Sequence, residues 1–189
     1  MPIEAATRGD LLRVARESIR RRLTGDASPP EPEVDDPVLH ELRATFVTLM
    51  RRHTLRGCIG TLEAQRPLLL DVTHNARAAA FRDPRFSPLK PEELPGLVIE
   101  ISVLTPSAPL PVRDRAELLQ RLVPGRDGLT LEEGMHRATF LPAVWETLPD
   151  AEQFLAQLLH KARLPKDHWS DRLRFSTYTT ESFAESDAA

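Results

Sequence analysis

Cysteine is nearly absent from this 189-residue sequence, in which Cys58 is the single example. One cysteine excludes an intramolecular disulfide and is typical of proteins from a reducing compartment. It also argues against a structural zinc site, which needs several clustered Cys or His ligands. The histidines are scattered, with no His-x-His or His-x-x-x-His spacing. We therefore expect no metal site and no other cofactor.

The sequence also lacks long apolar runs and the common glycine-rich motifs. No run approaches the length of a membrane-spanning helix, and residues 1–10 lack the apolar stretch of a signal peptide, so we expect a cytoplasmic protein without membrane association. The net charge of −3 gives no overall attraction to nucleic acid. Phosphate-binding loops, a dinucleotide fingerprint and a Gly-x-Ser-x-Gly elbow are missing. The oligomeric state stays open.

Apolar periodicity predicts helices and strands that alternate without a repeating strand-helix-strand unit. We therefore predict an α+β protein, an antiparallel sheet with flanking helices, in a single domain over residues 1–189. Asp10 is placed to cap the first helix. Residues 24–37 are rich in proline and predicted as an exposed loop, and residues 184–189 as a frayed tail. The predicted helices cover 11–23, 67–81, 115–122 and 150–164, and the strands 44–50, 54–60, 97–104, 129–132, 136–141 and 174–180.

The cysteine lies in the motif Leu-Arg-Gly-Cys-Ile-Gly, on the second strand of a predicted hairpin. Side chains alternate along a strand, so Leu55 and Gly57 are predicted to face the core and Arg56 and Cys58 the other side. There the guanidinium would favour the thiolate. Gly57 and Gly60 remove side chains beside the sulfur and would let another group come close to the backbone there. The alternative is that Cys58 packs as a small apolar residue, and no histidine is placed convincingly as its base.

With these motifs in order, the chain resembles the AMMECR-type domain, named for the chromosomal region of Alport syndrome, midface hypoplasia and elliptocytosis. The resemblance extends over nearly the whole chain and rests on the order and spacing of eight short sequence segments. They are FVTL (46–49), LRGCIG (55–60), NARAAAFRDPRF (75–86), EISVLTP (100–106), GLTL (128–131), FLPAVWE (140–146), FLAQLLHKARL (154–164) and RFSTYTTESF (174–183).

The resemblance implies a larger antiparallel-sheet subdomain and a smaller helical subdomain with a cleft between them, and we assign about residues 61–95 to the smaller one. It also implies a set of cleft residues. These are Arg56, Gly57, Cys58, Gly60, Asn75, Asp83, Arg85 and Phe86. For Asp83 the sequence offers a second interpretation, a helix-ending turn in which its carboxylate pairs with Arg82 or Arg85.

The resemblance implies a function as well. Prokaryotic relatives are associated with a Memo-like protein and a radical SAM enzyme in a proposed three-part system. The chain is accordingly expected to be a binding or accessory component that acts with these partners in a modification pathway. The alternative is an enzyme in which Cys58, supported by Arg56, acts on a small polar substrate or a nucleic-acid base in the cleft.

Overall fold

The computed structural model describes residues 2–26 and 28–185. The chain divides into a first unit, residues 1–104 with 181–189, and a second unit, residues 105–180. In chain order the elements are α1 (Ala5–Leu23), β1 (Leu42–Arg51), β2 (Thr54–Gly60), β3 (Arg66–Pro67), α2 (Leu68–Phe81), β4 (Leu97–Leu104), β5 (Ala108–Pro109), α3 (Arg115–Arg121), β6 (Gly128–Glu133), β7 (His136–Phe140), α4 (Ala151–Lys161), β8 (Arg174–Tyr178) and β9 (Thr180–Ala184). Short 3-10 turns cover Pro37–His40, Pro91–Gly96 and Pro142–Glu146.

The first unit is built on a five-stranded sheet. Its strands lie in the order β2-β1-β4-β9, and β3 pairs with the beginning of β1. β1 is antiparallel to β2, β3 and β4. Alternate residues of β1 and β4 are buried, and their inward side chains share one apolar core with α1 and α2. The predicted alternation of residues 97–104 is thereby confirmed.

A β-bulge interrupts β2 at the cysteine motif. Met50 pairs with Leu55 while Leu49 pairs with Gly57, so Arg56 is the extra residue on β2. An extra residue shifts the side-chain alternation by one position. Leu55 is therefore 39% exposed, where strict alternation had predicted a core position.

Helix α1 begins earlier than predicted, and Asp10 does not cap it. Glu4 occupies the N-cap position, and Asp10 is buried inside the helix. Its carboxylate accepts the backbone N–H groups of Glu33 and Val34 at 2.8 and 3.0 Å. Asp10 thus ties the proline-rich segment to α1. The described part of that segment, residues 24–26 and 28–37, is mostly exposed, although Pro30 is buried.

The second unit has a sheet of its own, in the order β5-β8-β6-β7. One face packs with α3 and α4 around a core that includes Leu118, Leu131 and Phe154. The Asp150 carboxylate accepts the N–H of Gln153 at 2.9 Å and caps α4, as predicted. The resemblance implied a smaller helical subdomain, and the second unit combines helices with a four-stranded sheet.

The division of the chain also differs from the expected one. Residues 61–95 lie in the first unit, because α2 packs its alanines on the sheet there. At the other end, the Glu185 carboxylate binds Arg16 at 2.6 Å and the N–H of Ile99 at 2.9 Å. Residues 184 and 185 are thus held in place and not frayed, and residues 186–189 of the predicted tail lie outside the described residues.

Among the described residues, no helix combines the length and apolar character that crossing a membrane requires.

The approach of β2 to α2 depends on Gly57. A Cβ added there would lie 2.3 Å from the carbonyl oxygen of Ala79 in α2, whereas a Cβ at Gly9 on α1 would meet nothing within 4 Å. We expect Gly57→Ala to lower the free energy of unfolding by about 3 kcal/mol through overpacking.

The matched change Gly9→Ala should raise this free energy by about 1 kcal/mol, because alanine favours a helix interior. Urea denaturation of both variants checks the pair. Equal effects at the two positions would contradict the close packing at Gly57.

Candidate functional site

Cys58 lies on β2, the strand at one edge of the first sheet, and is partly exposed. It faces Thr48 on β1, and the Thr48 Oγ1–H donates to Cys58 Sγ at 3.3 Å. In the described part of the chain this is the one hydrogen bond of the thiol. The backbone N–H and C=O of Cys58 point away from β1, which leaves them at the free edge of the sheet.

The segment after α2 covers this edge with an ion pair. The N–H of Cys58 donates to Asp83 Oδ2 at 2.9 Å, and Arg85 Nη2 donates to the Cys58 carbonyl at 3.2 Å. Asp83 and Arg85 also bind each other at 2.7 Å. The hydrogen bond from Arg85, with that from the Cys58 N–H, holds the pKa of the buried Asp83 carboxyl well below its usual range. Asp83 therefore combines its predicted local pairing with a direct contact to the cysteine motif.

Arg56 binds a carboxylate instead of the thiol. Its Nε and Nη2 donate to the two oxygens of Glu93 at 2.8 and 3.0 Å, and Nη2 also donates to the Ser87 carbonyl at 3.0 Å. The hydrogen bond from Arg56 lowers the Glu93 pKa from 4.5 to about 2. Arg56 is thus paired with a residue that sequence reasoning missed, and the same carboxylate lies 3.6 Å from Arg51. The one local signal for Glu93 is its place three residues after Lys90, whose N–H it accepts at 2.9 Å.

Phe86 lies close to both arginines. The guanidinium carbons of Arg56 and Arg85 are 5.9 and 5.5 Å from its ring centroid, within the range of cation–π contacts. The Arg85 side chain is 54% exposed, and Phe86 is half-buried. We use "Cys58 cluster" for the residues that these contacts join: Thr48, Arg56, Cys58, Asp83, Arg85, Phe86 and Glu93.

Three predicted site residues lie outside this cluster: Gly57, which packs against Ala79 of α2, Gly60 and Asn75. A Cβ at Gly60 would lie 2.3 Å from the Phe46 ring, so its lack of a side chain serves packing. Asn75 is buried, and its Nδ2 donates to the Thr45 carbonyl at 3.0 Å and to Asp71 at 2.9 Å. The Asp71 carboxylate also accepts the Thr45 N–H at 3.0 Å. This buried polar network joins α2 to β1 and was not predicted from the sequence.

Candidate bases and metal ligands do not converge on the thiol. His74, the histidine nearest in sequence after the motif, is partly buried on α2, and burial lowers its pKa. Within residues 2–26 and 28–185, no three His, Cys, Asp or Glu side chains group as metal ligands would. Among the described residues, the thiol therefore accepts a hydrogen bond from Thr48, and the charged side chains around it form ion pairs.

Comparison with known proteins defines the class to which this fold and motif belong. The model of the AMMECR1 family matches residues 12–183, and the chain belongs to the AMMECR1 family. A protein of Methanothermobacter thermautotrophicus is 41% identical over 162 residues, 85% of this chain and 84% of that protein. A protein of Saccharolobus solfataricus is 40% identical over 167 residues, 85% of this chain and 73% of that protein.

A solved structure supports the same assignment. The crystal structure of an uncharacterized protein from Pyrococcus horikoshii has a TM-score of 0.80 and 37% identity, and the match covers 93% of this chain and 89% of that one. The predicted α+β fold with antiparallel sheets and flanking helices is confirmed.

The depressed pKa of Glu93 predicts a pH dependence of stability. Because the pKa falls from 4.5 to about 2 on folding, the stabilisation by the Glu93–Arg56 pair is complete above 4.5 and is lost as the pH falls toward 2. The variant Glu93→Gln lacks this pair. We expect it to be less stable than the parent chain at neutral pH, with a difference that shrinks as the pH falls through this window.

Urea denaturation at several values between about pH 7 and about pH 3 checks this expectation. Glu92→Gln, a change at the exposed neighbouring carboxylate, is the control and should follow the parent curve. A difference between Glu93→Gln and the parent that stays constant with pH would contradict the ion pair.

Proposed function

We propose that the protein is a binding or accessory component and that the Cys58 cluster is the surface that a partner protein contacts. The observation that carries this proposal is the pairing of both arginines near the thiol, Arg56 with Glu93 and Arg85 with Asp83. A nucleophilic cysteine needs a base or an uncompensated positive charge to form its thiolate. Here Asp83 and Arg85, which pair with each other, bind the backbone of Cys58 and so connect β2 to the segment after α2.

The exposed part of the cluster has the composition of a contact surface. The Arg85 side chain is half-exposed beside the Phe86 ring, and arginine and aromatic residues are enriched at protein interfaces. Other residues hold both in position: Asp83 accepts a hydrogen bond from Arg85, and the Phe86 ring contacts two guanidinium groups. A preorganised surface loses little conformational entropy on binding. The partners we propose are the Memo-like protein and the radical SAM enzyme that the family resemblance suggests, in a modification pathway.

A second candidate function is a Cys58-dependent enzyme that acts on a small polar substrate or a nucleic-acid base. Two observations favour it. The thiol is partly exposed, and the Arg85 guanidinium binds the carbonyl of the same residue at 3.2 Å, which brings a positive charge close to the sulfur. Replacement of Cys58 by serine separates the two functions, because it should abolish any turnover while leaving partner binding almost unchanged.

The binding function is tested with Phe86→Ala and a matched control. Phe183 is also half-buried and also lies under an arginine, with Arg8 at 5.9 Å from its ring centroid. If the Cys58 cluster is the contact surface, Phe86→Ala should weaken binding at least tenfold, about 1.4 kcal/mol, and Phe183→Ala should not.

Binding of each variant to the purified Memo-like protein and to the radical SAM enzyme is measured by surface plasmon resonance, with thermal unfolding as the check on folding. Equal weakening by the two changes would contradict the assigned surface. Failure of the parent chain to bind either partner, together with turnover that Cys58→Ser abolishes, would favour the enzyme.

A further inference from the structure

The second unit contains a cavity of about 580 Å³ between the segment that follows β5 and the edge of β8. Its apolar lining includes Leu110, Val112, Leu173 and Phe175, of which all but Val112 are more than nine-tenths buried in the core of this unit. This volume falls in the range of small-molecule sites, about 300–1,000 Å³. The cavity is built from residues of one unit and shares none with the Cys58 cluster.

The backbone explains why a space opens at this place. β5 pairs with β8 over only two residues, and the N–H of Leu110 then donates to the Phe175 carbonyl at 2.8 Å. The Pro111 carbonyl points away from β8 and is bound by Arg121 of α3. β5 pairs only with Thr177 and Ser176, so it does not cover the backbone of β8 at Arg174.

The polar end of the cavity carries an unbalanced positive charge. Glu132 and Arg174 both line it, but the Glu132 carboxylate is bound by Arg137 at 2.7 Å. Arg174 Nη1 donates to the carbonyls of Asp171 and Leu173 at 2.8 and 3.0 Å. Among the residues that the structure describes, no carboxylate pairs with Arg174, and its remaining N–H groups are available to a ligand.

We infer that this cavity is a binding site for a small molecule with an apolar body and a carboxylate. The apolar body packs on Leu110, Val112 and Phe175, and the carboxylate binds the Arg174 guanidinium, whose planar fork matches it. The hydroxyls of Ser107 and Ser176 also line the cavity and supply further donors. This inference is independent of the function proposed for the Cys58 cluster.

The chain contains a spectroscopic reporter for this site. The Trp169 ring stacks on Phe175 with 5.6 Å between centroids and 19° between planes. Because Phe175 forms a wall of the cavity, a ligand there should change Trp169 fluorescence. The other tryptophan, Trp145, is buried against Phe154 and donates to the Asp127 carbonyl, so it serves as the background signal.

The test titrates the full chain with decanoate to about 1 mM, following binding by calorimetry and by tryptophan fluorescence. Decanol and decylammonium, which share the apolar body, are the headgroup controls. We expect saturable binding of decanoate, at least tenfold weaker binding of decanol, and the weakest binding for decylammonium, which Arg174 repels. The fluorescence change should disappear in Trp169→Phe while the calorimetric binding remains.

Three charge variants sharpen the test. Arg174→Gln should weaken decanoate binding at least tenfold, and Glu132→Gln should leave it equal or tighter because a nearby negative charge is removed. Arg172→Gln is the charge-matched control, since its side chain is 84% exposed and pairs with Glu133 outside the cavity lining. It should bind like the parent. A further variant, Val112→Trp, should abolish binding by filling the space.

The inference is overturned if the parent chain does not bind decanoate in this range, or if decylammonium binds as well as decanoate. It is also overturned if Arg174→Gln and Arg172→Gln bind decanoate equally, because the carboxylate would then not be recognised by Arg174. Thermal unfolding of each variant establishes that a loss of binding is not a loss of fold.

Discussion

The Asp83 carboxylate lies at the free edge of the first sheet, where it accepts the N–H of Cys58 at 2.9 Å and binds Arg85 at 2.7 Å. An edge strand that presents unpaired backbone groups invites pairing with another chain. Asp83 and Arg85 satisfy both backbone groups of Cys58 and connect the segment after α2 to β2. The close approach of Gly57 to Ala79 and the contact of the thiol with Thr48 lie on the same strand as this connection.

The same ion pairs limit what the cluster can do. Arg56 pairs with Glu93, which also lies 3.6 Å from Arg51, and Arg85 pairs with Asp83; both Arg56 and Arg85 lie near the Phe86 ring. Paired polar groups rigidify a structure, whereas catalysis by a thiolate requires charge left available to the sulfur. In the described residues one buried atom of the cluster, Arg56 Nη1, has no hydrogen-bond partner. A rigid surface with an exposed arginine fits recognition of a partner better than activation of a nucleophile.

Much of the fold follows from patterns within short segments. The alternation of residues 97–104 and the Asp150 cap are local, and the structure confirms both. The bulge at Arg56 breaks the strict alternation on which the strand prediction rests, and the burial of Asp10 depends on contacts with residues 33 and 34, which periodicity does not encode. The separate sheet of the second unit was missed for the same reason: it pairs strands from residues 108 to 178. The motif and Asp83, singled out from the sequence, lie in contact, while Glu93, the partner of Arg56, was not singled out.

The most direct test is the rate at which Cys58 reacts with a thiol reagent, compared between the native and the urea-unfolded chain from about pH 6 to about pH 9. If the cluster holds the thiol for recognition, the native chain should react more slowly than the unfolded chain throughout this range. Addition of a binding partner should slow it further. A native rate that exceeds the unfolded rate near neutral pH would mean an activated thiolate and would contradict the account.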